Sequence, residues 1–302
     1  MRFLFCLILI VASLGQGALA MTSTNYIVNW DSINSGGTDF GSSTNYKMHD
    51  TIGEQAVGYS TSTNYRMQAG YRQAENLVPT LKFNLGVQEN GTQTAYTSIS
   101  TTTRQVVLAS TLGYSTGSFI GVVEDVGLAQ KFVVGKISGI TGNTITVDNW
   151  EGTVTSISGT PVGGNDFAYR MNGHNLQFGV LDSTTPKTGI VVTEVATSAL
   201  SGYMLKIQSD GYLRTSATQH IMDVADGTVS LGSEEYGARV YGTMASSTGL
   251  DFAVSSIKRT VQEGVGAATD ERIGMVYKLA IINGTPGGSY TQIVRYLLTP
   301  RF

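Results

Sequence analysis

Gly202-Tyr203-Met204-Leu205-Lys206-Ile207-Gln208 places Tyr203, Leu205 and Ile207 on one face and Lys206 and Gln208 on the other. That two-residue period is the pattern of an antiparallel strand with one dry and one wet side. The reading extends outward. Leu176–Leu181 and Gly189–Val195 are expected strands before it, and Ala238–Gly242, Gly274–Ile282 and Tyr290–Leu298 after it. The last two are joined by Asn283-Gly284-Thr285-Pro286-Gly287-Gly288, a run of turn formers. Strands at this spacing, roughly seven in about 130 residues, predict an immunoglobulin-like β-sandwich over residues 171–302.

Upstream, residues 79–170 predict a small β module. Its expected strands are Leu81–Val87, Arg104–Ser110, Ser118–Glu124, Lys131–Ile137 and Thr144–Asp148. Gly142-Asn143 and Gly163-Gly164 supply loops that tolerate positive φ. Pro79 follows Asn76-Leu77-Val78 and marks the boundary with residues 21–78. In that first segment Ser-Thr-Asn-Tyr occurs at 23–26, 43–46 and 62–65, which predicts short β repeats with polar turns. No stretch after residue 20 carries helical periodicity, so the fold class expected is all-β.

Residues 1–20 join Arg2, an apolar run from Phe3 to Leu14 and the small residues Ala18 and Ala20, the form of a signal peptide cut after Ala20. The run is shorter than the roughly 20 residues of a membrane helix, so no membrane span is expected after cleavage. Cys6, the only cysteine, would leave with the signal, so the exported chain would rely on sheet burial or association instead of disulfides. The net charge is −3, and charged residues make up 14% against roughly 25% in an average domain. No basic patch is present, which argues against nucleic acid as a partner.

Further along, Leu176-Gln177-Phe178-Gly179-Val180-Leu181-Asp182, Ser201-Gly202-Tyr203-Met204-Leu205-Lys206-Ile207, Glu234-Glu235-Tyr236-Gly237 and Gly288-Ser289-Tyr290-Thr291-Gln292-Ile293-Val294-Arg295-Tyr296 follow one another. This succession resembles uncharacterised secreted, cell-surface β-rich proteins of candidate-phyla bacteria. More loosely it resembles WxL-type and pilin- or spore-coat-like β-sandwich surface domains. The Ser-Thr-Asn-Tyr repeats resemble the N-terminal part of the same proteins, and Val106–Val147, between Ser110-Thr111-Leu112-Gly113-Tyr114 and Gly142-Asn143-Thr144-Ile145-Thr146-Val147, resembles a small β-barrel insert, which implies a β-barrel-like middle module. Trp30 and Trp150 are the only tryptophans, and neither stands in Trp-x-Leu. The resemblance implies a place, the cell exterior, more than an activity.

Chemistry-bearing motifs are few. Gly113-Tyr114-Ser115-Thr116-Gly117 fits the G-x-S-x-G nucleophile pattern, but a strand pattern follows it where the motif needs a helix, so it reads as a turn. His49, His174 and His220 stand in no metal-ligand spacing. Glu124-Asp125 and Glu234-Glu235 are adjacent pairs, and neighbours on a strand point to opposite faces. No catalytic residue is expected. Asp210, Asp223 and Asp226 lie in or near glycine-containing loops, and calcium is the one cofactor they would suit. Tyr26, Tyr46, Tyr65 and Tyr71 are binding candidates among the repeats, with a module's own small core as the competing reading.

The functional expectation is an exported, non-enzymatic surface protein, structural or adhesive. Its expected partners are copies of itself or cell-envelope components, reached by strand addition to a sheet edge. Two rivals stand beside it. An outer-membrane β-barrel would account for the composition and the terminal Phe302, but Pro300 and short strands argue against it. A secreted carbohydrate-binding protein would need clustered aromatic residues.

Overall fold

A computed structural model describes residues 36–42, 47–52, 58–61 and 66–69 by their backbone, and residues 80–246 and 249–301 in full. Contacts divide the chain into two units, Met1–Val78 and Pro79–Phe302. In the first unit β1 (Gly36–Ser42) pairs with β2 (Lys47–Ile52), and β3 (Gly58–Thr61) with β4 (Arg66–Ala69), both antiparallel. Pairing reaches Ser42↔Lys47 and Thr61↔Arg66, so the second and third Ser-Thr-Asn-Tyr copies are the four residues between partners. The tetrapeptides themselves lie outside the described residues.

The second unit is all-β. Its first sheet is six-stranded and antiparallel, in the order β11-β8-β9-β10-β7-β6. The strands are β6 (Tyr96–Ser100), β7 (Gln105–Leu108), β8 (Phe119–Glu124), β9 (Lys131–Thr141), β10 (Thr144–Gly152) and β11 (Phe167–Arg170). The sheet curls into a half-barrel. Just before β6, Thr94 exchanges two main-chain bonds of 2.9 Å with Ala168 of β11, bridging the two edges. The concave side is filled with buried side chains, among them Ile99, Val106, Ile120, Val133, Ile145 and Trp150. It is a core and not a pore.

Two further sheets form a sandwich. Four strands, in the order β16-β18-β12-β5, are β5 (Leu81–Val87), β12 (Lys187–Thr197), β16 (Glu235–Tyr241) and β18 (Ala268–Ala280). Three strands, in the order β17-β13-β19, are β13 (Tyr203–Ser209), β17 (Arg259–Gly264) and β19 (Val294–Pro300). Between β13 and β16 the short strands β14 (Leu213–Arg214) and β15 (His220–Ile221) pair with each other. Leu205 and Ile207 of β13 enter the shared core with Val191, Ala238, Val240, Ile273, Met275, Tyr277 and Leu279. Burying each of the aliphatic residues is worth roughly 1.5–3 kcal/mol.

The four-stranded sheet has no wet face along its middle. Odd-numbered residues of β12 and β18 face the sandwich core, while Ile190, Val192 and Val276 pack against Phe119, Val123, Phe132 and Val134 of the half-barrel. Close approach is made by glycine. A Cβ at Gly274 would meet the Phe132 ring at 2.5 Å, and one at Gly121 would meet Ile190 at 2.3 Å.

Charges are enclosed in the same interface. Glu194 of β12, 1% exposed, accepts Lys136 Nζ at 2.8 Å, Asn84 Nδ2 at 2.7 Å and Arg272 Nε at 2.8 Å. The Arg272 guanidinium also grips Asp148 through both of its terminal nitrogens. Two cations and two anions thus balance across half-barrel and sandwich. A second group lies on the β16 side, where buried Asp251 accepts Arg239 Nε at 2.6 Å and Lys278 Nζ at 2.9 Å. In the sandwich core Tyr203 donates to Glu271 at 2.7 Å and accepts from Gln262, whose carbonyl takes Thr193 Oγ1.

Several expected strands are displaced. Leu176–Leu181 is not a strand: the chain turns at Gly179 (φ 71°), so Leu176, Phe178 and Leu181 reach the core from an irregular segment while Val180 stays exposed. The last strand begins at Val294 instead of Tyr290 and runs through Pro300. Proline is tolerated there because β19 is an edge strand. The expectation of uniformly short strands fails as well. β9 of the half-barrel has 11 residues, and β12 and β18, the central strands of the four-stranded sheet, have 11 and 13. The strands β6, β11 and β17 had no expected counterpart.

Two outcomes follow. Arg272→Ala leaves Asp148 and one oxygen of buried Glu194 without their partner, and should cost about 3–5 kcal/mol in urea unfolding. The Glu194 carboxyl is raised by burial, but the bonds from Lys136 and Asn84 and the Arg272 charge outweigh this and hold it below the usual range. Between the folded and ordinary values the unfolded chain binds more protons. The contribution is therefore complete above the ordinary glutamate value and is lost as pH falls through the lowered one. Glu194→Gln should flatten the acid limb of stability below the ordinary glutamate value and leave the slope above it unchanged, as read from urea midpoints.

Candidate functional site

Both sheets of the sandwich end on the same side, one at β5 and the other at β19, where the Phe83 and Tyr296 rings lie 6.3 Å apart. Main-chain groups alternate along a strand, so one hydrogen bond fixes the direction of the rest. Val87 donates outward to the Met171 carbonyl, so the main-chain groups of Leu81, Phe83 and Leu85 also point outward. At the two ends of β19 the flanking residues Ile293 and Arg301 bond inward toward the β13 side, so Val294, Tyr296 and Leu298 point outward. None of these six residues has a main-chain hydrogen-bond partner on its outer side among the described residues.

Their side chains face the core but do not close it. Leu81 is 44% exposed and Leu85 42%, high values for the inward row of a sandwich strand. Between the edges opens a cleft of about 1090 Å³, floored by Val191, Tyr236, Tyr277 and Leu279 and flanked by Val294 and Tyr296. Its walls are the irregular segments around Leu176–Leu181 and Thr285–Ile293. The lining contains no Asp, Glu, Lys or Arg, and His174 is its one titratable base.

Aromatic rings dominate the floor. Tyr236 stacks on Tyr277 at 6.3 Å and receives the Phe178 edge at 6.2 Å. The Tyr277 and Tyr296 hydroxyls share a 2.8 Å hydrogen bond. Burial pushes the Tyr277 hydroxyl up to about 12, with the Tyr296 bond opposing, so both phenols stay neutral at physiological pH. Tyr290 caps the wall by donating to the Pro286 carbonyl at 2.6 Å. The cleft can take an uncharged, apolar or aromatic segment and offers no carboxylate pair for acid–base hydrolysis.

The residues singled out in the sequence fall elsewhere. Tyr26, Tyr46, Tyr65 and Tyr71 lie outside the described residues. Asp210 is engaged by Arg214 at 3.0 Å and by the Ile293 amide, while Asp226 caps Thr228. Burial pushes the Asp223 carboxyl up to about 6, with His220 opposing. Among the described residues no three His, Cys, Asp or Glu side chains gather to hold a metal. His220 stacks on Tyr212 at 4.4 Å, and His49 is in β2.

Gly113–Gly117 forms turns between β7 and β8, with a strand and not a helix after it. Glu124 is buried against Ser158 and Tyr96, while Asp125 pairs outward with Lys131, as adjacent positions require. Tyr236, Tyr277 and Tyr296 were not anticipated as a group. The one signal was an excess of tyrosine in the C-terminal strands.

Comparison with protein-family models, with curated proteins and with solved structures finds no match for this chain. No helix among the described residues is long and apolar enough to cross a membrane.

The shared hydroxyl bond makes a direct prediction. Tyr277→Phe and Tyr296→Phe should each destabilise by about 1 kcal/mol, and the double variant by less than the sum. Urea unfolding of the four proteins measures the difference.

Proposed function

We propose that the protein is an exported, non-enzymatic component of the cell surface, structural or adhesive, that associates with other copies of itself by strand addition. The observation that carries this reading is the pair of unpaired edges, β5 and β19, flanking an uncharged cleft on one side of the sandwich. An edge with unpaired main-chain groups and a half-exposed apolar row is a template for another strand, and natural sheets ordinarily blunt such edges. The inward rows, Leu81-Phe83-Leu85 and Val294-Tyr296-Leu298, carry no charge, while Lys82 and Arg295 are exposed on the opposite faces of the two edge strands. Export rests on the signal-like character of residues 1–20.

The immunoglobulin-like comparison rests on strand count, four over three. The order departs from that fold, which pairs its second strand with its fifth. Here β12, the second strand of the sandwich, pairs with β18, the sixth. Strand addition needs the sandwich and its open edges, and not that particular order.

A second reading is favoured by the half-buried rings of the cleft lining: a carbohydrate could stack on Phe178, Tyr290 or Tyr296. A glycan array on the mature chain would show it.

The test of the main reading is light scattering of the mature chain over a wide concentration range. Particle mass should rise with concentration to at least twice that of one chain. Monomer at every concentration overturns self-association.

A further inference from the structure

We infer that the cleft between β5 and β19 accepts residues Tyr26–Trp30 of a second copy, which add as a fourth strand beside β19. This rests on the self-association proposed above and names the two surfaces that meet.

The acceptor side follows from geometry. The three-stranded sheet ends at β19 while the sheet facing it continues to β5, whose inward leucines remain half exposed. A strand beside β19 would pair with the outward main-chain groups of Val294, Tyr296 and Leu298. It would also lay a row of side chains over Leu81 and Leu85. The length available, Val294–Leu298, is five residues, because Pro300 has no N–H to offer a partner at the next outward position.

The donor side follows from the sequence. Tyr26-Ile27-Val28-Asn29-Trp30 is also five residues, and as a strand it puts Tyr26, Val28 and Trp30 on one face. Aromatic and β-branched residues are the types that favour strands. The nine residues Thr22–Trp30 carry no charge, matching a lining without Asp, Glu, Lys or Arg. The described strands of the N-terminal unit already pair among themselves.

Tryptophan emission reads this out in the full mature chain. Trp150 is buried in the half-barrel, so wild type minus Trp30→Phe isolates Trp30. Trp30 emission should move to shorter wavelength over the same concentrations at which light scattering shows assembly. Leu85→Lys and Ile293→Lys, at positions 42% and 58% exposed, should keep the urea midpoint near wild type. Each should raise the assembly dissociation constant at least about tenfold, by placing a charge where the donor must dry the cleft.

Independently of any variant, a synthetic peptide of residues 22–30 should dissociate wild-type assemblies. Assembly that leaves Trp30 in a water-like environment, or that ignores both lysines and the peptide, overturns this pairing and leaves self-association standing. Trp30 shielded in a monomer at every dilution means that a chain fills its own cleft, which also overturns it. A chain that never assembles and never shields Trp30 removes both proposals.

Discussion

The four-stranded sheet must be dry on both faces, and the rest of the second unit is arranged to make it so. Its central strands β12 and β18 are buried almost continuously from Ile190 to Val195 and from Arg272 to Ala280. One face is covered by the three-stranded sheet and the other by the half-barrel. Removing either cover would expose a continuous apolar surface, so the half-barrel belongs to the core of the sandwich as much as to its own. Burying Glu194 and Arg272 in that interface is costly unless every partner is in place. Lys136 and Asp148 come from the half-barrel, and the charges are therefore satisfied in one docking geometry of the two parts.

That central constraint also explains where the molecule is open. Strands are used up covering the middle of the sheet, and the sandwich runs out of them on the β5–β19 side. Irregular segments, carrying Leu176, Phe178 and Leu181 on one wall and Tyr290 on the other, take the place of a regular cover. A loop can bring side chains to a core, but it cannot offer a ladder of main-chain partners to a sheet edge. The cleft thus combines a well-packed aromatic floor with unmet hydrogen-bonding capacity at its rims.

Local elements were readable in the sequence. The apolar–polar alternation placed Leu81–Val87 to the residue, and β13 and β12 nearly so. Failures came where one rule met another. Leu176–Leu181 has the composition of a strand, but Gly179 turns it away from any partner. Pro300 looked like an interruption because its position at an outer edge depends on which strands lie beside it. Pairing was not legible: β5 joins β12 about 110 positions away, for example Asn84 with Glu194. The charge network unites residues 84, 136, 148, 194 and 272, and no local pattern relates them. The cleft was hidden for the same reason, since it belongs to the ends of two sheets and not to any motif.

Pro300 gives the open side a polarity. On the free edge of β19 its ring stands where the next outward N–H would be, so a hydrogen-bonded ladder beside this strand is weakened at one end and unimpeded at the other. Sliding by one pleat toward the C-terminus would set a partner carbonyl against a ring with no proton to give. For a strand laid along it, the edge would act as a ruler with a stop, its register set by a missing proton.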